Sequence, residues 1–148
     1  VLCPPSPAAV IPNALIAGTS FYGDVQVGTI AIQSGLPVKA KQWRWDVGFY
    51  PASHRGHNRS GYSASFEEAR AGFEVAWKAY LPKCTEADFS EYRRQRAWTA
   101  WKYIMREAGL PLPTQSTSGQ ARCFCGAAID IAVTDRHICD VHMDSQQA

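Results

Sequence analysis

The densest chemical signal in the chain is Cys123-Phe124-Cys125-Gly126, answered downstream by Cys139-Asp140-Val141-His142. Thirteen residues separate Cys125 from Cys139, enough for a hairpin to return one close pair to the other. Ile129, Ile131 and Val133 alternate across that spacer, Thr134-Asp135-Arg136 can turn, and Gly126 permits a tight bend after the first pair. Zinc takes thiolate and imidazole ligands in a tetrahedron. The spacing therefore predicts a structural Zn2+ held by Cys123, Cys125, Cys139 and His142. His137 is an alternative ligand and Asp140 a more remote one, because Cys-x-Cys is tighter than the commoner Cys-x-x-Cys knuckle. Unliganded thiols, or a disulfide such as Cys123 to Cys139, are the competing arrangements. Four protein ligands leave no open position, so the metal would shape the chain rather than react. So short a segment cannot close a core alone, and the metal would supply its folding energy.

With 148 residues, 46% of them apolar and 19% charged, the chain has material for one packed domain and a small appendage. The net charge is +2, too small for bulk charge to point to nucleic acid, so any such contact must come from local basic clusters. No apolar run approaches the length of a membrane span. The apolar stretch from Ala8 to Ala17 is broken by Pro12 and Asn13 and lacks a basic lead-in, so it is not expected to be a signal peptide. An odd set of cysteines, clustered beside histidines, fits metal binding in a reducing, cytoplasmic setting. Cys3 and Cys84 show no pattern and are expected to be ordinary thiols.

Residues 1–20 are rich in Pro, Ala and Ser and are expected to be an extended lead-in. Val25, Val27, Ile30 and Ile32 suggest a strand whose phase slips at Gly28, as at a bulge. Trp43, Trp45, Val47 and Phe49 alternate with Gln42, Arg44, Asp46 and Gly48, the pattern of a strand with one buried face. Residues 52–61 read as a basic loop, and Tyr62 to Ala64 as a short strand. Ser65 and Glu68 form a capping box for a helix whose apolar stripe is Phe66, Ala69, Phe73, Ala76, Trp77 and Tyr80, stopped at Pro82. A second helix starts at Thr85, acidic early and basic late as the helix dipole favours. Phe89, Ala97, Trp101, Ile104 and Ala108 mark its inner side, and Gly109 and Pro111 end it. The expected fold is α+β: a small antiparallel sheet packed by two helices, with a C-terminal zinc-binding hairpin module. The divisions are an extended segment 1–20, a domain 21–109, a linker 110–120, the zinc module 121–143 and a polar tail 144–148.

The run from Trp43-Arg44-Trp45-Asp46-Val47 through Gly61-Tyr62-Ser63-Ala64-Ser65-Phe66-Glu67-Glu68-Ala69, with Ala76-Trp77 closing the helix, resembles short bacterial and phage-borne proteins. The likeness covers roughly residues 40–108, carries no assigned activity, and implies a bacterial, phage or mobile-element source. The strand–strand–helix order also faintly resembles HicB-type antitoxin domains, which have a small sheet and one helix.

Two further features could carry function. The loop His54-Arg55-Gly56-His57-Asn58-Arg59 could hold a phosphate or do acid–base work, although no neighbouring carboxylate orients an imidazole; a solvated basic loop is the simpler reading. On the second helix Trp98 lies between Arg94 and Lys102, with Arg106 beyond, as a stacking or cation–π spot or simply as the edge of the core. No phosphate loop, nucleophile elbow or metalloprotease motif occurs, so a non-enzymatic role is expected. The expected partner is nucleic acid, contacted through Arg44, His54, Arg55, His57, Arg59, Arg94, Trp98, Lys102 and Arg106. The alternative is a larger protein complex, with the chain as adaptor, assembly component or inhibitor.

Overall fold

The computed structural model describes residues 17–143. Cys3, the rest of the N-terminal lead-in up to residue 16, and the tail 144–148 lie outside the described residues. The fold is α+β, with a four-stranded antiparallel sheet packed against helices. The chain forms two compact units that divide between Tyr92 and Arg93.

In the first unit the sheet runs β1 (Ala17–Tyr22), β2 (Val25–Ile32), β3 (Trp43–Val47) and β4 (Arg59–Ser63), each strand paired with the next. Ala17 to Ser20, assigned by composition to the lead-in, form most of β1. Between Ser20↔Gly28 and Phe21↔Gln26 the register slips, leaving Val27 as the extra residue of a bulge. The bulge explains why Val25, Val27 and Ile30 are all buried despite broken alternation. Ile32, expected inside, is exposed at the strand end.

Helix α1 (Phe66–Tyr80) begins where its capping box requires: Ser65 Oγ accepts from Glu68 N at 3.2 Å, and Glu68 Oε2 accepts from Ala64 N at 3.1 Å. Phe66, Ala69, Phe73, Trp77 and Tyr80 pack with Val47 and Phe49 in the unit's core. Trp45 sets how closely sheet and helix approach. A Cβ on Gly61 of β4 would stand 2.5 Å from its Cζ2, and one on Gly72 of α1 2.8 Å from its Nε1. The two glycines thus leave a slot for the indole. The slot accounts for Gly61 in β4, part of a stretch, residues 52–61, expected to be loop.

Helix α2 (Glu86–Glu107) starts on a second reciprocal cap, with Asp88 N donating to Thr85 Oγ1 and Thr85 N to Asp88 Oδ2. Phe89 and Tyr92 belong to the first unit and pack with Phe49. In the second unit α2 buries Ala97, Trp101 and Met105, residues spaced by four. Ile104 and Ala108, expected on that side, are exposed. The helix ends in a Schellman motif, Leu110 N donating to Met105 O and Gly109 N to Arg106 O. Residues 110–120 are not a free linker. Leu110 and Leu112 pack on the second core, Pro113 is buried in a short 3-10 turn, and Gln120 opens a strand. The second unit therefore comprises α2 from Arg93 onward, this packed connection and the cysteine segment, rather than the cysteine segment alone.

Candidate metal centre

The cysteine segment folds as a hairpin followed by a short helix. Strands β5 (Gln120–Arg122) and β6 (Ala128–Asp130) pair from Gln120↔Asp130 to Arg122↔Ala128. Cys123 and Cys125 lie in the connecting turn, which is closed by Cys123 N donating to Ala127 O at 2.8 Å and Gly126 N to Cys123 O at 2.9 Å. Gly126 has φ +95°, a conformation that side chains resist. After β6, Asp130 accepts from Val133 N and, through its backbone carbonyl, from the Thr134 hydroxyl, which starts helix α3 (Thr134–His137). The chain then widens into a π-helical turn, Ile138–His142.

That wider turn decides which residues meet. A π-type turn hydrogen-bonds over five residues rather than four, so His137 and His142 share one face. Cys123, Cys125, His137 and His142 bring their donor atoms within 4.8 Å of one another. Cys139 is not in this group, which corrects the ligand set read from spacing: His137 takes its place beside His142. Two residues after His137 in that wider turn, Cys139 is nearly half a turn away from it around the helix axis. Asp140, the remote candidate, pairs with Arg136 at 3.4 Å. Cys123, Cys125 and Cys139 are not in disulfides.

The cluster is half sheltered: Cys123 and His142 are buried, His137 intermediate and Cys125 exposed. Cys123 Sγ lies 3.3 Å from His142 Nε2, Cys125 Sγ 3.5 Å from His137 Nε2, and the two Nε2 atoms 3.2 Å apart. The Phe124 ring lies against His142, with centroids 4.6 Å apart. Burial, then the neighbouring His137, push the His142 pKa below the ordinary imidazole value, which favours the neutral form that binds metals. The buried indole of Trp101 donates from Nε1 to Cys123 Sγ at 3.3 Å, a contact spacing did not suggest. A two-cysteine, two-histidine set of this kind can hold a metal ion.

Other candidate residues have different surroundings. Arg94 Nη1 and Trp98 Nε1 both donate to Asp135 Oδ1 of α3 at 2.6 Å, so both tie α2 to the metal-site helix. The Lys102 ammonium sits 5.4 Å from the centroid of a Trp98 ring. Lys102 and Arg106 line a groove with Leu110, Leu112 and Gln115. In the first unit Arg44 is held by both oxygens of Asp46, two residues along the same strand, and by the Tyr62 hydroxyl. Hydrogen bonding and charge from Asp46 raise its pKa further above its already high value. Arg59 donates to the carbonyls of Gly56 and Asn58, and His57 is intermediate in exposure. The side chains of His54 and Arg55 lie outside the described residues.

No family model, curated protein or solved structure matches the chain. No helix among the described residues is long and apolar enough to cross a membrane.

Proposed function

We propose that residues 93–143 bind one zinc ion as a structural centre, and that the unit so held is a nucleic-acid-binding module without enzymatic activity. The spacing of the donor atoms carries the first part. Zinc–sulfur bonds of about 2.3 Å and zinc–nitrogen bonds of about 2.05 Å in a tetrahedron give edges of about 3.6 Å for S–N and about 3.35 Å for N–N. Three of the six edges are close to these values, two S–N at 3.3 and 3.5 Å and the N–N at 3.2 Å, and all four donor atoms lie within 4.8 Å of one another. A hydrogen-bond cluster fits less well. His142 Nε2 meets both a sulfur and a second imidazole nitrogen, yet one ring nitrogen offers either a proton or a lone pair. Two thiolates balance the charge of the ion, and four protein ligands leave no site for a reacting water.

The distribution of charge supports the second part. Residues 17–92 hold eight Lys and Arg against eight Asp and Glu, whereas residues 93–143 hold seven against four. The excess positive charge is thus concentrated in the metal-holding unit, the asymmetry that attracts a polyanion. Lys102, Arg106 and Arg122 are exposed there, and none forms an ion pair with a carboxylate among the described residues. Zinc-loaded chain, titrated against labelled oligonucleotides by fluorescence anisotropy, is expected to bind with an affinity that falls steeply as salt rises. Absence of binding at low salt would overturn the reading. A protein partner is the second reading, favoured by the exposure of Ile131, Val133 and Val141 in the same unit. It takes over if oligonucleotides fail and a defined partner is released by Ile131→Ser.

A further inference from the structure

The nucleic-acid reading leaves open which form of nucleic acid is bound and by which element. A hairpin carrying two cysteines and a helix carrying two histidines has the layout of a finger that reads duplex DNA, in which helix residues enter the major groove. In this chain the means for that are missing. His137 is already the fourth residue of α3, so only Thr134, Asp135 and Arg136 precede it. Thr134 is buried, with its hydroxyl on the Asp130 carbonyl. Asp135 is occupied by Arg94 and Trp98 and carries a charge that repels phosphate. Arg136 is paired with Asp140.

The outer face of α2 is differently equipped. At about 100° per residue, Gln95, Thr99, Lys102, Tyr103 and Arg106 fall within about 100° of arc. All five are exposed, opposite the buried Ala97, Trp101 and Met105. Tyr103 is 60% exposed, more than any other aromatic ring among the described residues. Trp98, the aromatic singled out by its flanking cations, is a poorer platform: Asp135 holds its N–H and Lys102 lies against its ring. Beyond Arg106 the surface continues into the groove floored by Leu110 and Leu112.

Resting on the reading above, we infer that the unit binds single-stranded nucleic acid along the outer face of α2, with Tyr103 stacking on an unpaired base and Lys102 and Arg106 meeting flanking phosphates. Stacking on an exposed ring needs a base out of its duplex, and it tolerates any base. Lys102 and Arg106, both to one side of the ring, supply the complementarity to the backbone, while the exposed Glu107 marks the other side as the one the strand avoids.

The test compares a single-stranded DNA, a single-stranded RNA and the matching DNA duplex, each of about 15 nucleotides in length, against the zinc-loaded full chain and its Tyr103→Ala and Tyr103→Leu variants. Both single strands are expected to bind more tightly than the duplex. Both variants should weaken single-strand binding by about tenfold, with zinc content and circular dichroism unchanged. Duplex binding equal to or tighter than single-strand binding, or full affinity in Tyr103→Leu, overturns this inference while leaving nucleic-acid binding intact. Binding to none of the three overturns the nucleic-acid reading itself.

Discussion

The two units solve the same folding problem with different means. The apolar core cluster of the first has twelve buried members, among them Phe49, Phe66, Phe73, Trp77, Tyr80 and Phe89, between a four-stranded sheet and its helices. The apolar core cluster of the second has six buried members: Ala97, Trp101, Met105, Cys123, Ile129 and Ile138. One of those six, Cys123, also belongs to the candidate metal cluster, so packing and ligation would share a residue. A unit with so small a core depends on a staple, and structural zinc contributes on the order of 10 kcal/mol. On the proposed reading the first unit draws its stability from apolar area, and the second would draw much of its own from coordination. The first is also neutral in formal charge, and the second basic.

The largest expected effect breaks this symmetry by removing the metal. Chelation, or Cys123→Ser, should abolish hydrogen-exchange protection in β5, β6 and α3 while β2, β3 and α1 keep theirs. Equal loss of protection in both units would show that the first unit also leans on the metal. Cys139→Ser should leave one zinc per chain, because Cys139 is outside the cluster.

Gly61→Ala should strike the first unit alone. The added methyl meets the Trp45 indole at 2.5 Å, and overpacking of this kind costs about 1–3 kcal/mol. Urea denaturation monitored separately in each unit would detect it. Gly72→Ala sharpens the point, since helix propensity alone favours alanine by about 1 kcal/mol whereas the Trp45 contact at 2.8 Å opposes it. A stabilised Gly72→Ala would mean that the slot is not filled as described.

Trp101→Phe is the mildest change. It keeps most of the packing in the second unit and deletes the indole N–H that reaches Cys123 Sγ. Supporting hydrogen bonds to metal ligands are worth about 10-fold in affinity or somewhat more, so competition with a chromophoric chelator should register about that drop. An unchanged affinity would reduce Trp101 to a packing residue.

Much of this contrast is legible in the sequence where the signals are local. Ser65 with Glu68 and Thr85 with Asp88 announce the two long helices, because a cap is built within four residues of chain. The Trp43–Phe49 alternation marks the central strand for the same reason. β4 is legible only at Tyr62 and Ser63: Arg59-Ser60-Gly61 has no apolar residue, and its place is set by pairing with β3 and by the Trp45 ring. The Leu-Pro segment after α2 resembles a linker in composition, yet its leucines are held by a core assembled from residues up to Ile138. In the metal cluster Cys123, Cys125 and His142 follow from spacing. The choice of His137 over Cys139 turns on a π-helical turn, which no local residue pattern encodes.

That choice is also where the account is most exposed. Zinc-edge X-ray absorption on the purified, zinc-loaded chain counts sulfur and nitrogen neighbours directly. Two sulfurs at about 2.3 Å and two nitrogens at about 2.05 Å are predicted, with one zinc per chain. Three sulfurs and one nitrogen would return Cys139 to the site and contradict the geometry proposed for Cys123, Cys125, His137 and His142.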